Sequence, residues 1–535
     1  MTDAQSYFEY RDLRPLAGSP WTVLREIADT KHSPPQPDIL RLDEWSGMGT
    51  AAVENKHRKA AEALGWSGGL DVTAHRSGVE SWGYCSAEIF RDWKVPLGIN
   101  LVIDQHVEDG DHSIWHLHPD LVIALGLVRE GNSWFRPEEG WVEVVRLKED
   151  ETGKPYLLEI RSEFLLDYLA ARDMGLYCSL YRERVMVSKG KPALGWAEDE
   201  FSEVKGRDTR EGLITETEYP DPENHFWARG AIWRTEWIDG GTLSIRVRGD
   251  KDPHSTTFAI KADGTRVASS ALQGVIDWLY FDPLVVSALL RHRSGRLRWA
   301  TQETGSLGAT DHGVHFGINE LGLITVFAKD IGQRPSWEQR IWSAHNVTPD
   351  GGVSRELFAA QMEVNPAATV APERELAETI SALDTAFSAK HGKALLREDK
   401  AVKALLRAAH RFVATDQTGL LELAKQLTRL FMERVDVDAI GTVVTLPKGD
   451  KKIGSLKALE RLVAFHRSEA EASAMMAPLF GIYDLRLADA HLGSSKIDSG
   501  KARAGIIDSD PPAMQGRQLL RAYVDNLREI AAVLA

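Results

Sequence analysis

Arg486 and His491 stand in the stretch LFGIYDLRLADAHL, residues 479–492, with Asp489 between them. A fixed guanidinium can stabilise the charge that develops on a phosphate under attack. An imidazole titrating near neutrality can take the proton of a ribose 2′-hydroxyl or return one to the leaving oxygen. RNA carries its own nucleophile, so such a pair needs neither a metal ion nor a protein nucleophile. The chemistry these residue types suit is metal-free scission of RNA.

Spacing alone carries little, because Arg followed by four to six residues and His recurs five times: Arg25/His32, Arg248/His254, Arg340/His345, Arg461/His466 and Arg486/His491. The first runs toward a Pro-Pro loop, the second occupies the turn RGDKDPH, and the third straddles the end of a short helix. Arg461 and His466 lie inside an amphipathic helix, where both can be solvated. Only Arg486/His491 follows an apolar run, APLFGIYDL, and leads into a Gly-Ser-Lys loop. The end of a buried helix would hold the pair while leaving it open to a groove. A plainer reading stays open beside this one. On a helix, positions 486 and 491 are about 140° apart, Arg486 and Asp489 can form a routine ion pair, and His491 can complement a helix C-terminus ahead of Gly493.

The elements that must position this motif are helical. From ELAETISALDTAFSAKHG to MQGRQLLRAYVDNLREIAAVL, apolar residues recur at three and four, which predicts a bundle over residues 372–535. The loop LPKGDKKIGS interrupts it at 446–455. Lys448, Lys451 and Lys452 there, with Lys496 in the loop after the motif, form either a basic lip for RNA or solvated loop lysines. Ahead of the bundle, PAATVAPERE at 366–375 reads as a linker. Residues 176–365 read as a β-rich domain of short strands, among them LYCSLYRERVMV, ARGAIWRTEWI, TLSIRVRG and GLITVFAKD. Residues 1–175 read as a mixed α/β domain. It contains strand-like LVIDQHVEDGDHSIWHLHPDLVIALGLV and a helix SEFLLDYLAARDMG, capped by Ser162 with Gly175 just past its end. The expected fold class is therefore α+β and multidomain, a β-rich N-terminal part followed by an all-α C-terminal bundle. The tryptophans of the β-rich part read more simply as core residues than as a stacking surface for bases.

The helical region with LRLADAHL resembles the HEPN (higher eukaryote and prokaryote nucleotide-binding) superfamily, whose nuclease members carry Arg, four to six residues, then His. The resemblance covers about the last 165 residues and departs from many members at Leu487, where they have a polar residue. It implies a metal-independent endoribonuclease, without cofactor, of the kind found in toxins and antiphage defence systems. It further implies a homodimer in which two motifs face each other. Arg486 would hold the scissile phosphate, His491 would serve in acid–base or phosphate-binding work, and Asp489 would orient a histidine. RNA and a defence-system protein are the partners it suggests. The alternative is a non-catalytic recognition or assembly protein whose helical domain mediates dimerisation.

One competing cluster is DQHVEDGDHSIWHLHPD, with His106, His112, His116 and His118 among Asp104, Asp109, Asp111 and Asp120. His116 and His118 would share a strand face, as metal ligands can. HLHPD matches the start of the metallo-β-lactamase pattern, but Leu121 stands where its next histidine belongs, and a polar edge strand explains the cluster as well. Neither a phosphate-loop signature nor a Gly-x-Ser-x-Gly elbow occurs. Two cysteines, Cys85 and Cys178, cannot build a disulfide framework or a cysteine zinc site. MTDAQSYFEYRDLRPLAG has no basic start followed by an apolar run, and no stretch is long enough to span a membrane. A cytoplasmic protein is expected. The net charge of −14 is uneven: residues 371–535 hold 24 Lys and Arg against 22 Asp and Glu, which leaves −16 on the first 370. The helical part is the one that can approach a phosphate backbone. The N-terminal part then reads as a sensor or regulatory region.

Overall fold

A computed structural model describes the chain except for residues 1–3, 12, 14–15, 17, 35, 65–72, 75, 78–82, 85–87, 93–94, 107–112, 218–224, 249–255, 447–452 and 489–493. It forms two compact units, Met1–Asp252 and Pro253–Ala535. A β-rich N-terminal half is followed by helices, as the periodicities require.

The first unit is built on one large, antiparallel sheet. Its centre is Met174–Ser188, paired on one side with Ile39–Glu54 and on the other with His225–Asp239. Asp208–Thr217 and then Glu200–Lys205 complete one edge. Trp21–His32, Pro155–Arg161 and Val142–Glu149 extend the other. Period-two alternation sends Leu176, Cys178 and Leu180 into one core with Leu24, Met48 and the helix residues Phe164, Leu165 and Leu169. A boundary at 175/176 therefore has no counterpart: the strand that crosses it joins residues before and after it, and the division falls at 252/253 instead.

Three local expectations change. The helix spans Ser162–Ala171 with Arg161 as N-cap, while Ser162 Oγ donates to the Ser19 carbonyl at 2.5 Å. The chain reverses at Asp173, whose φ of 54° is left-handed, so Gly175 already lies in the strand. LVIA is helical within Pro119–Ala124, and the alternating TLSIRVRG gives a helical turn, Ile245–Arg248.

In the second unit a six-stranded antiparallel sheet runs Arg296–Trp299, Thr304–Gly308, Val314–Ile318, Ile324–Phe327, Trp278–Phe281 and Asn346–Val347. Its core includes Phe412, Ala513 and Met514 from the helical region, so the helical region helps to fill the sheet's interior beside the bundle's own core. The expected linker is where they join. Ala371 is fully buried, Pro372 opens the helix Pro372–His391, and the Val370 carbonyl accepts from Arg521 at 2.7 Å. Below it Arg411, fully buried, grips Glu373 through Nε and Nη2 at 2.8 and 2.7 Å and lies 4.1 Å from the Trp299 ring. Burial alone would push the Glu373 carboxyl up, but Arg411 holds it below its usual range.

The bundle itself packs Pro372–His391 and Pro512–Leu534 with Gln417–Leu427, Ser455–His466 and Glu469–Ala488. Ser468 separates the last two. Its Oγ accepts from Glu471 N at 3.3 Å while Glu471 Oε2 accepts from Ser468 N at 3.0 Å, a reciprocal cap that starts a new helix. Among the described residues no helix is long and apolar enough to cross a membrane.

Candidate functional site

Helix Glu469–Ala488 buries Met476, Leu479, Ile482 and Leu485 and brings Arg486 to its last described turn. The next helix, Ser494–Arg503, packs closely against it. At their crossing a Cβ on Gly481 would lie 2.7 Å from the Gly500 carbonyl oxygen, so only glycine permits the approach. The crossing anchors both arms that lead to residues 489–493. Asp489 and His491 lie outside the described residues, as do Lys448, Lys451 and Lys452. Lys496 is exposed on the second helix.

Arg486 is one-third exposed, and its Nη2 donates to Glu433 Oε1 at 3.0 Å. Its guanidinium carbon is 5.8 Å from the Tyr483 ring. Glu433 owes its position to a π-helical turn, Thr428–Met432, that continues Gln417–Leu427. Tyr523 OH donates to the Leu427 carbonyl at 3.1 Å, which compensates the altered hydrogen-bond ladder.

Two further arginines gather there. Arg397 Nη2 donates to the Glu433 carbonyl at 2.6 Å, and Arg434 donates to the carbonyls of Arg397 and Leu430, both at 3.0 Å. Bonding to carbonyls orients these guanidinium groups without neutralising them. Of the three arginines only Arg486 contacts the Glu433 carboxylate, while Arg397 and Arg434 are held through main-chain carbonyls of the same short stretch, leaving guanidinium groups that a phosphate could use. Sequence reasoning found Arg486 and missed the other three, since each is an ordinary polar residue in its own segment.

The neighbouring match, Arg461/His466, falls away from this place. Arg461 pairs with Glu469 at 3.3 Å, at the first turn of the helix that ends near Arg486. A helix of 20 residues spans roughly 30 Å, so Arg461/His466 cannot face Arg486 within one chain. His466 instead lies beside His391, ring centroids 6.5 Å apart. Burial, then Lys390, His391 and Arg467, lower its pKa.

The histidine-rich segment is locally engaged. His116 Nε2 meets Gln105 Oε1 at 2.8 Å. His118 is a helix N-cap rather than a strand residue, its Nδ1 accepting from Asp120 N at 3.1 Å. Asp104 pairs with Arg25 at 2.7 Å, and Asp120 accepts from Tyr168 at 2.7 Å and Arg172 at 2.8 Å. His112, Asp109 and Asp111 are outside the described residues. Among the described ones no group of three His, Cys, Asp or Glu could hold a metal ion.

Comparison with protein-family models, with curated proteins and with solved structures finds no match to this chain.

Proposed function

We propose that this chain is a cytoplasmic, metal-independent endoribonuclease of the HEPN type, governed by its β-rich N-terminal part and acting in antiphage defence or a toxin system. The observation that supports this reading is the arginine cluster at the end of the buried helix, next to the segment that carries Asp489 and His491. Arg486 holds the scissile phosphate. The ribose 2′-oxygen attacks phosphorus, and the bond to the 5′-oxygen breaks. His491 moves the proton from the attacking hydroxyl or to the leaving oxygen, and Asp489 orients the imidazole. Each chain offers one such motif, so a two-fold homodimer supplies the pair of histidines that acid and base require.

The test is cleavage of an RNA oligonucleotide by purified protein in EDTA. Products ending in 2′,3′-cyclic phosphate and 5′-hydroxyl, with no cutting where the ribose is 2′-deoxy, are expected. Metal dependence, or a fully active monomer by light scattering, removes the reading. The Arg486–Glu433 ion pair also suits a non-catalytic assembly module, which predicts dimerisation without any cleavage in the same assay.

A further inference from the structure

A second place is built by strand register alone, on the large sheet of the first unit. Ala231 is flanked across the sheet by Glu211 on one neighbouring strand and Glu183 on the other. Along its own strand the residues on the same face are Arg229 and Trp233. Trp233 is the register partner of Tyr181, and their ring centroids are 5.6 Å apart. Trp45 lies opposite Glu183 on the next strand. A small floor is thus framed by two carboxylates, a guanidinium and an aromatic pair.

The opposite face at this point is filled. Phe201 packs on Gly212 and Phe8 on Gly230, leaving no room there for a Cβ. A pocket of about 340 Å³ is lined by residues 200–202 and 211–213 with Arg229 and Ala231, and most of these side chains belong to the Ala231 face.

Its polar groups are set before any ligand arrives. Tyr181 OH and Arg229 Nε both donate to Glu183 Oε2 at 2.7 Å. This fixes the tyrosine and the arginine and spends the Glu183 carboxylate on them. Glu211 is half-buried and paired in the sheet through its backbone, but among the described residues its carboxylate makes no hydrogen bond or ion pair. A carboxylate with no internal partner beside a pocket is free to accept donors from a ligand.

Charge narrows the ligand. Glu183, Glu200 and Glu211 outnumber Arg229, so phosphates and carboxylates are repelled. A free carboxylate accepts two adjacent hydroxyls side by side, and the remaining guanidinium donors suit ring oxygens. The Tyr181–Trp233 pair stands beside the pocket, two residues along the strands on the same face, within reach of a ring bound there.

We propose that the face around Ala231 binds an uncharged ring compound with adjacent hydroxyls, Glu211 holding the diol, Arg229 a ring oxygen and Tyr181–Trp233 the flat side. Free nucleosides and pyranosides both carry this chemistry. The site is independent of the ribonuclease reading.

Calorimetric titration of the full chain with adenosine, 2′-deoxyadenosine, AMP and methyl glucopyranoside tests it. Adenosine or the glucoside binds, and the one that binds identifies the source of the diol. If adenosine binds, its 2′-deoxy form and AMP each bind on the order of ten-fold more weakly. Glu211→Ala weakens binding by a similar factor, while Glu203→Ala, on the same sheet edge but facing the other way, leaves it unchanged. Circular dichroism of both variants matches the parent. The proposal is overturned if neither diol binds at millimolar concentration, if AMP binds as well as adenosine, or if Glu211→Ala binds like the parent.

Discussion

Gly481 and Gly500 face each other so closely that a Cβ on the first would sit 2.7 Å from the second's carbonyl oxygen, and a Cβ on the second 3.0 Å from the first's. Both obstacles are backbone, which cannot swing aside. Gly481→Ala should therefore separate the two helices, at a cost of about 1–3 kcal/mol. Because these helices hold both ends of the 489–493 segment, RNA cleavage should fall by more than the loss in folded fraction. Urea denaturation and single-turnover cleavage on one preparation decide it. Equal losses would mean the crossing matters only for stability.

The chemical roles separate by substitution. His491→Ala should lose on the order of 100- to 10,000-fold in cleavage rate, the usual worth of proton transfer, with folding intact. Arg486→Lys should also be severely impaired, since lysine keeps the charge and loses the two-pronged grip. His466→Ala, from the match at the far end of the helix, should cleave like the parent. Glu433→Gln removes the acid competing with phosphate for Arg486. It should tighten binding of an uncleavable 2′-deoxy oligonucleotide several-fold, while an ion pair this exposed changes stability by no more than about 1 kcal/mol. Full activity in the His491 variant would reduce the motif to a helix surface.

Residues 253–365 and the bundle should unfold as one. Removing one member of the buried Arg411–Glu373 pair leaves an uncompensated charge, at a cost of about 3–5 kcal/mol. Arg411→Leu should lower the hydrogen-exchange protection of the strands Thr304–Gly308 and Val314–Ile318 and of the helices Pro372–His391 and Pro512–Leu534 together. Helices that keep the parent's protection while these strands lose theirs would show that the bundle stands alone.

Acid should destabilise this same junction. Burial lowers the His410 pKa from 6.5 to about 4. Above pH 6.5 the imidazole is neutral in both folded and unfolded chains, and its stabilisation relative to acid is fully present. As pH falls from 6.5 toward 4 the unfolded chain takes a proton that the folded one resists, and up to about 3 kcal/mol is lost. Burial raises Glu303 and Glu338, which act in the opposite sense, so the comparison must be with His410→Gln. That variant should show a flatter stability profile between pH 7 and 4.5 by urea denaturation. Parallel profiles would remove His410 as the cause.

The helices and long strands were legible because amphipathic period is a local property. The break at Ser468 could have been read from the Ser-x-x-Glu cap. Boundaries were harder. PAATVAPERE has linker composition, yet Pro372 occupies a helix's first turn and Ala371 is buried. Composition does not reveal that Arg411, 38 positions on, will close over Glu373. Likewise no local pattern in Met174–Ser188 announces that its partners begin at Ile39 and His225. At the candidate site Arg486 was visible through its motif, whereas Glu433 meets it across 53 positions. Alternation in TLSIRVRG was present without a neighbouring strand to use it.

The π-turn at Thr428–Met432 gives this surface an unusual evolutionary sensitivity. A π-turn holds one residue more than the α-helix it interrupts, so it shifts the facing of everything after it by about 100°. Loss of a single codon there would restore regular helix and swing Glu433 away from Arg486, without altering either residue. Chain length at this turn, more than the identity of any side chain in it, is the variable that descent could use to open or close the arginine cluster.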